Sequence, residues 1–443
     1  MGADIHRYVT QITMTEIETK NLRILKQRWP DLWATIVNAN DDLEIAWIED
    51  GPQSTLIVNG IHLSSCFDRQ KEAALQASLI PESSKIAWVY GCGSGDLPRV
   101  LLCRENLLAL NVVLLNKFVF RESLIYFDHS DWMNDPRTLV YLASSQKGLQ
   151  APLCSSSACL RIAELTAESI RDQVVLELAT PYINRRMHEN KIFKQQIEEN
   201  REYFDIDADI SELFDTKFNA TFYVVGAGPT LTDNFDYLKN RWADGILITV
   251  DAALKPLLEN NIVPDYVLSV DPMRISVYPF LDIEPENMKT ISLVYFPVVQ
   301  RDALKNWQGK RYIACSKSPM YEDVRRIYSI SPLFAAGSVL HPAVDLAVKM
   351  GAKNIELFGA DFSYPKAKSH VSGALFAQNV DGQSVRSWVR NGEGQNVASI
   401  PNLIGYLRDL ENYIADHLDV NFKNSSREGA MIKGVDYIAP TIP

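Results

Sequence analysis

The chain has 443 residues and a formal net charge of −11, from 44 Lys plus Arg against 55 Asp plus Glu. With 47% hydrophobic and 22% charged residues it is composed like a globular protein with room for two or three domains, which excludes a disordered, collagenous or coiled-coil chain. The acidic balance argues against a protein that coats nucleic acid or an anionic membrane.

The amino-terminal stretch up to Pro30 has no basic segment followed by an apolar core, so no signal peptide is expected. Gly2 lacks the downstream Ser or Thr of a myristoylation signal. Ile17, Leu22, Ile24 and Leu25 are spaced as in an amphipathic helix over Thr15 to Arg28. Short β runs follow at Glu44 to Trp47 and Thr55 to Val58. Lys85 to Tyr90 is an apolar strand running into Gly91-Cys92-Gly93-Ser94-Gly95, and a helical segment from Val100 to Leu108 leads to a buried strand from Asn111 to Leu115. That βαβ pattern predicts a Rossmann-like domain over 1–160. Residues 161–215 are charged and helix-like, and read as a helical connector.

From Lys217 the chain turns β-rich again. Apolar strands are predicted at Thr221 to Val225, Ile246 to Val250, Tyr266 to Val270, Ile291 to Tyr295 and Ile355 to Phe358, the last after a helix from His341 to Met350. Their alternation with helix-length segments predicts a mostly parallel, doubly wound sheet over 216–380. An amphipathic helix from Ile400 to His417 makes 381–443 a helical segment closing on the central domain. The fold class is α/β: two Rossmann-like domains with a helical connector and a helical tail. No window of about 18 apolar residues predicts a transmembrane helix. Cys66, Cys92, Cys103, Cys154, Cys159 and Cys315 lack paired CxxC spacing and read as reduced thiols of a cytoplasmic protein.

Two glycine-rich turns could carry a nucleotide. The first, at Gly91 to Gly95, wants an acidic residue after the next strand to hold a ribose, but the chain there reads Asn116-Lys117. A tight structural turn is the better reading. The second, Gly226-Ala227-Gly228-Pro229-Thr230, follows a strand and precedes a helix, where glycines admit a phosphate to free N–H groups and the positive dipole end. Pro229 sets the entry angle, and Thr230 supplies a hydroxyl. Asp251, Asp271 and Asp361 each close a strand motif. Carboxyl ends of strands line the ligand crevice of such sheets, so these carboxylates suit ribose or sugar hydroxyls, or a divalent cation. Arg274, Lys366, Lys368 and Arg427 suit a phosphate leaving group, with Tyr364 adding a hydroxyl. His370, just beyond Asp361, suits deprotonation of an acceptor near neutral pH. His341 reads as structural, and Asp128-His129-Ser130-Asp131 as a turn.

The motifs Gly226-Ala-Gly-Pro-Thr230, Val250-Asp-Ala-Ala-Leu254, Val270-Asp-Pro272, Gly337-Ser338-Val339, Gly359-Ala-Asp-Phe362 with His370, and Asn424-Ser-Ser-Arg-Glu-Gly-Ala430 resemble, in order, those of the motility accessory factor family of bacterial flagellin glycosyltransferases. The resemblance implies a central domain similar to bacterial sialyltransferases. It further implies a CMP-activated nonulosonic acid as donor, pseudaminic or legionaminic acid, and Ser or Thr of flagellin as acceptor. His370 and Asp361 would be catalytic. Gly226, Gly228, Pro229, Thr230, Asp251, Asp271, Gly337, Ser338 and Tyr364 would hold the donor. No cofactor is implied, since the CMP-sugar is the substrate, though Mg2+ stays open. No nucleic-acid partner is expected. Thr230 stands where the family often has Ser, and the region after Gly373 is short. The same domain also resembles 6-hydroxymethylpterin diphosphokinases, which would use ATP and Mg2+ held by Asp251 and Asp271. A non-catalytic flagellin-binding factor is the third reading.

Overall fold

A computed structural model describes residues 16–48, 53–146, 148–179, 191–241, 245–273, 277, 280, 283–374, 377–380 and 387–438. The chain divides into two compact units, Met1–Ala179 and Thr180–Pro443. Among the described residues no helix is long and apolar enough to cross a membrane.

The first unit opens with a helix over 16–28, where amphipathic spacing predicts it. Strands β1 (Ile45–Ile48), β2 (Thr55–Val58) and β3 (Ile61–His62) form an antiparallel meander. Strands β4 (Ile86–Tyr90), β5 (Ala109–Leu114), β6 (Thr138–Leu142) and β7 (Leu153–Ser155) form a parallel sheet in the order β6-β5-β4-β7. The glycine turn after β4 is packed at two positions by the protein's own side chains. Gly91, Gly93 and Gly95 all have positive φ, and side chains of Cys159 and His129 fill the space where Cβ atoms would stand at Gly91 and Gly95. Asn116 is the N-cap of the helix Lys117–Tyr126: its Oδ1 accepts from Val119 N at 3.0 Å and its Nδ2 donates to Ile162 O. The ribose position is spent on a helix start. His129 is fully buried, accepts from Trp132 Nε1 at Nδ1, and is driven by burial to about 3, so it is a neutral core residue. Gly95→Ala is expected to cost about 2 kcal/mol of stability in this unit, because φ is +89° and a Cβ would stand 2.6 Å from His129 Nδ1. A urea melt of the folded variant reads it.

Among the described residues of the second unit nine strands form one sheet, β8 (Ala208–Asp209), β9 (Thr221–Val225), β10 (Ile246–Val250), β11 (Tyr266–Ser269), β12 (Ser292–Tyr295), β13 (Arg311–Ile313), β14 (Asn354–Phe358), β17 (Asn421–Asn424) and β18 (Asp436–Tyr437), while β15 (Ser387–Arg390) and β16 (Asn396–Ser399) form a separate antiparallel hairpin. The sheet order is β18-β17-β14-β9-β10-β11-β12-β13-β8, and every neighbouring pair is parallel. Both faces are buried: Phe222 and Val224 point into one core, Tyr223 and Val225 into the other. That is why β9 reads as an unbroken apolar run.

Two expectations need correction. The segment 381–443 is not only helical. Besides the helix Pro401–Ala415 it supplies the β15–β16 hairpin and extends the parallel sheet with β17 and β18. Asn421-Phe-Lys-Asn424 holds a single apolar residue, so no strand period shows. The stretch 161–215 is not one connector either. The helix Glu168–Ala179 belongs to the first unit, while Lys191–Glu199 and β8 belong to the second.

Candidate functional site

The sheet order reverses between β9 and β14, and the crevice at such a reversal is where ligands of doubly wound sheets sit. The Gly226 turn leaves β9 here and Gly359-Ala360-Asp361 leaves β14. The two backbones cross in contact: a Cβ on Gly226 would meet Gly359 O at 2.7 Å, and one on Gly359 would meet Gly226 O at 2.5 Å. Two of the turn's N–H groups, and that of Leu231 beyond it, are engaged internally. Gly226 N donates to Phe358 O at 2.8 Å, Gly228 N to Gly359 O at 2.9 Å, and Leu231 N to Gly228 O at 3.1 Å.

Asp361 completes this closure. Its Oδ2 accepts from Thr230 N at 2.9 Å and its Oδ1 from Thr230 Oγ1 at 2.6 Å. Gly228 and Gly429 press on the carboxylate from two sides. The carboxylate thus stands where an anion was expected, and the chain continues into a 3-10 turn, Pro229–Asn234, with no open helix end. This corrects the phosphate cradle drawn from sequence. Burial drives the Asp361 carboxyl up to about 6; the Thr230 bonds oppose this, and Glu428 and Asp233 add to it.

One strand away the edge offers a second constellation. Asp251 begins the helix Asp251–Glu259 after β10, and its buried Oδ2 accepts from Ser269 Oγ at 2.8 Å. Its Oδ1 accepts from Ala252 N. Burial lifts the Asp251 carboxyl to about 7 against those bonds, with Asp271 contributing. Burial raises Asp271 as well; its Oδ1 accepts from Met273 N at 2.8 Å. Tyr406, on the helix Pro401–Ala415, feels the Asp271 charge, and its ring fills the space a side chain at Gly337 would need. Gly337 is therefore glycine for this contact and for its φ of +94°. Ser338 Oγ accepts from Leu340 N at 3.3 Å. His341 is buried, accepts from Ala336 N at Nδ1 and meets Tyr406 O through Nε2 at 2.9 Å, and burial lowers it to about 4. It is a neutral structural imidazole.

His370 lies half-buried on the loop stitched to the Gly226 turn by Val371 N donating to Ala227 O, and its Nδ1 is 3.1 Å from Ser369 Oγ. Tyr364 is half-buried, with its N–H on Ala398 O. Of the expected cations, Lys366 pairs with Asp233 at 2.7 Å and Glu428 at 3.2 Å, while Arg427 lies over the Tyr437 ring. Lys368 is exposed, and Arg274 lies outside the described residues. Sequence reasoning missed Ser269, Tyr406, Gly429 and the Thr230–Asp361 contact. Ser269 sits two residues before Asp271 at a strand end, which is the one signal that pointed to it.

The carboxyl values make Asp251→Asn informative. An unfolded Asp titrates near 3.9, so a folded value of about 7 means stability present below about pH 4 is lost as pH rises through 7. Asn keeps both bonds, because the Ser269 hydroxyl can turn to accept. The variant is expected to gain on the order of 2 kcal/mol at pH 8 and little at pH 4. Urea melts at the two pH values check the sign.

The fold and this edge define a doubly wound α/β protein with a carboxylate-lined crevice. Residues 194–367 match a family described as 6-hydroxymethylpterin diphosphokinase MptE-like, a stretch that carries the Gly226 turn, Asp251, Asp271 and Asp361. No curated protein matches the chain. A MAF glycosyltransferase from Magnetospirillum magneticum AMB-1 aligns over 96% of this chain and 74% of its own, at 15% identity and a TM-score of 0.48. Spermidine synthase from Thermotoga maritima aligns over 27% of this chain and 46% of its own, at 15% identity and a TM-score of 0.23.

Proposed function

We propose that the carboxyl edge of β10 and β11 binds a CMP-activated nonulosonic acid, pseudaminic or legionaminic acid, and that the chain transfers the sugar to a Ser or Thr hydroxyl of flagellin in the cytoplasm. The observation that carries this reading is the buried Asp251–Ser269 pair beside Asp271 at the strand ends. Paired carboxyls there suit ribose and sugar hydroxyls, and the lift of Asp251 to about 7 marks a group fitted to proton transfer. The ordered motifs from Gly226 to Ala430 add the sialyltransferase-like donor. In the reaction the acceptor oxygen forms a bond to the anomeric carbon as the bond from that carbon to the phosphate oxygen breaks. The acceptor proton passes to His370, or to a carboxyl of the edge, and CMP leaves.

The matched family favours a second reading, ATP-dependent diphosphorylation of a hydroxymethylpterin. Among the described residues no three His, Cys, Asp or Glu side chains gather as a metal site. Asp251 and Asp271 would be the protein's holders of Mg2+, which fits an ion commonly bound through one or two carboxylates and substrate phosphates. Bound there, it would neutralise the phosphate charge. One experiment separates the readings: the chain is incubated with flagellin and CMP-pseudaminic acid, and separately with ATP, Mg2+ and a hydroxymethylpterin. A mass increment on flagellin equal to the sugar residue is expected. AMP release without that increment identifies the kinase.

A further inference from the structure

The helix Lys191–Glu199 of the second unit is tied to two strand-end loops. Gln196 and Asn200 are one helical turn apart, with Asn200 N bonded to Gln196 O at 3.0 Å, and both side chains reach the loops that leave β11 and β12. Gln196 Nε2 donates to Pro272 O at 3.0 Å. Gln300, on the loop after β12, donates its own Nε2 to the same oxygen at 2.5 Å. Asn200 is fully buried and spends both amide protons on that loop, donating to Pro297 O at 3.0 Å and Val299 O at 2.7 Å. One carbonyl oxygen can accept two donors through its two lone pairs, and here both come from side chains.

Pro272 is the residue after Asp271. A proline restricts the residue before it to extended backbone, so fixing the Pro272 carbonyl fixes the direction in which the Asp271 carboxylate leaves the sheet. The Asp271 carboxylate in turn holds Met273 N at 2.8 Å. Two glutamines from different elements thus grip the one peptide that aims a candidate ligand group. Among the described residues the buried oxygens Gln196 Oε1 and Asn200 Oδ1 have no hydrogen-bond partner. An unpartnered buried acceptor is a cost, so these amides are held for what their N–H groups do.

We infer that Gln196 and Gln300 are positioning residues that hold the Pro272–Met273 peptide, and through its N–H the Asp271 carboxylate, in the orientation needed to bind a nucleotide ribose at the carboxyl edge. The inference rests on the reading of that edge as the nucleotide site. Gln196→Met with Gln300→Met removes both donors at nearly constant volume. Hydrogen exchange of the full chain is followed at the Met273 amide and, as a fold control, at the β9 and β14 amides, with CMP affinity measured by calorimetry. Exchange at Met273 is expected to rise about tenfold, the control amides to hold, and CMP affinity to fall by a similar factor. Should the control amides loosen as well, the single variants, which each leave one donor, decide by the same readings. Unchanged exchange at Met273 in a folded variant overturns the inference, as does a freed loop with full CMP affinity. If the parent chain binds no CMP, the reading of the site fails, and exchange at Met273 alone decides whether the glutamines hold the loop.

Discussion

A Gly228→Val variant is expected to melt roughly 10 °C or more below the parent chain, equivalent to about 4 kcal/mol in the second unit. Its φ is −68°, so no left-handed backbone is at stake. The reason for glycine is space. A Cβ at 228 would stand 2.5 Å from both Gly359 O and Asp361 Oδ2, and 2.7 Å from Asp361 Cγ. One neighbour is backbone and the other is a buried carboxylate locked on Thr230, so neither can yield cheaply. From sequence alone the same substitution reads as a block to phosphate with the fold intact. The contact between the turns that leave β9 and β14 reverses that order, placing the loss of stability first. Gly394→Ala is the control: its φ is +80° but nothing lies within 4 Å, so only the backbone term of about 1 kcal/mol is expected. A Gly228→Val protein that melts with the parent would show that the turns pack more loosely than these contacts.

His370→Ala is expected to slow sugar transfer by about a hundred- to ten-thousand-fold while leaving CMP-sugar affinity nearly intact. The imidazole is half-buried, on a loop tied to the glycine turn through Val371, and therefore close to the crevice without being part of its packed closure. A general base touches the acceptor proton in the transition state and contributes little to holding the donor. Intact mass of flagellin over time, beside calorimetry with the CMP-sugar, separates the two effects. Transfer at the parental rate would move the base to Asp251 or another carboxyl of the edge. Equal loss of binding and rate would make His370 a donor ligand.

Much of the central sheet was legible because its strands are buried on both faces. Phe222 to Val225, Ile246 to Val250 and Tyr266 to Ser269 are runs that only a covered parallel sheet needs, and a carboxylate after such a run falls at the crevice by topology. What escaped was set by partners distant in the chain. Both glycine turns look like phosphate loops locally. Each is packed by side chains from elsewhere, Cys159 and His129 in the first unit and Asp361, 131 residues from Thr230, in the second. Strands β8 and β18 have two residues each, too short for any period, and are strands only because longer neighbours pair with them. Tyr406 reaches Gly337 from a helix whose sequence reports amphipathicity and nothing of what one ring touches. Gln196 falls in a stretch that reads as a charged connector, since an amide's use depends on which carbonyl lies within reach.

Calorimetric titration of CMP into the full chain at pH 7, beside ATP with Mg2+, tests the proposed nucleotide site at β10 and β11 most directly. Saturable CMP binding is the expected result, weakened by Asp271→Asn and unchanged by Gly95→Ala in the first unit. ATP with Mg2+ binding saturably while CMP gives no heat would contradict the account, and so would CMP binding that Asp271→Asn leaves untouched and Gly95→Ala abolishes.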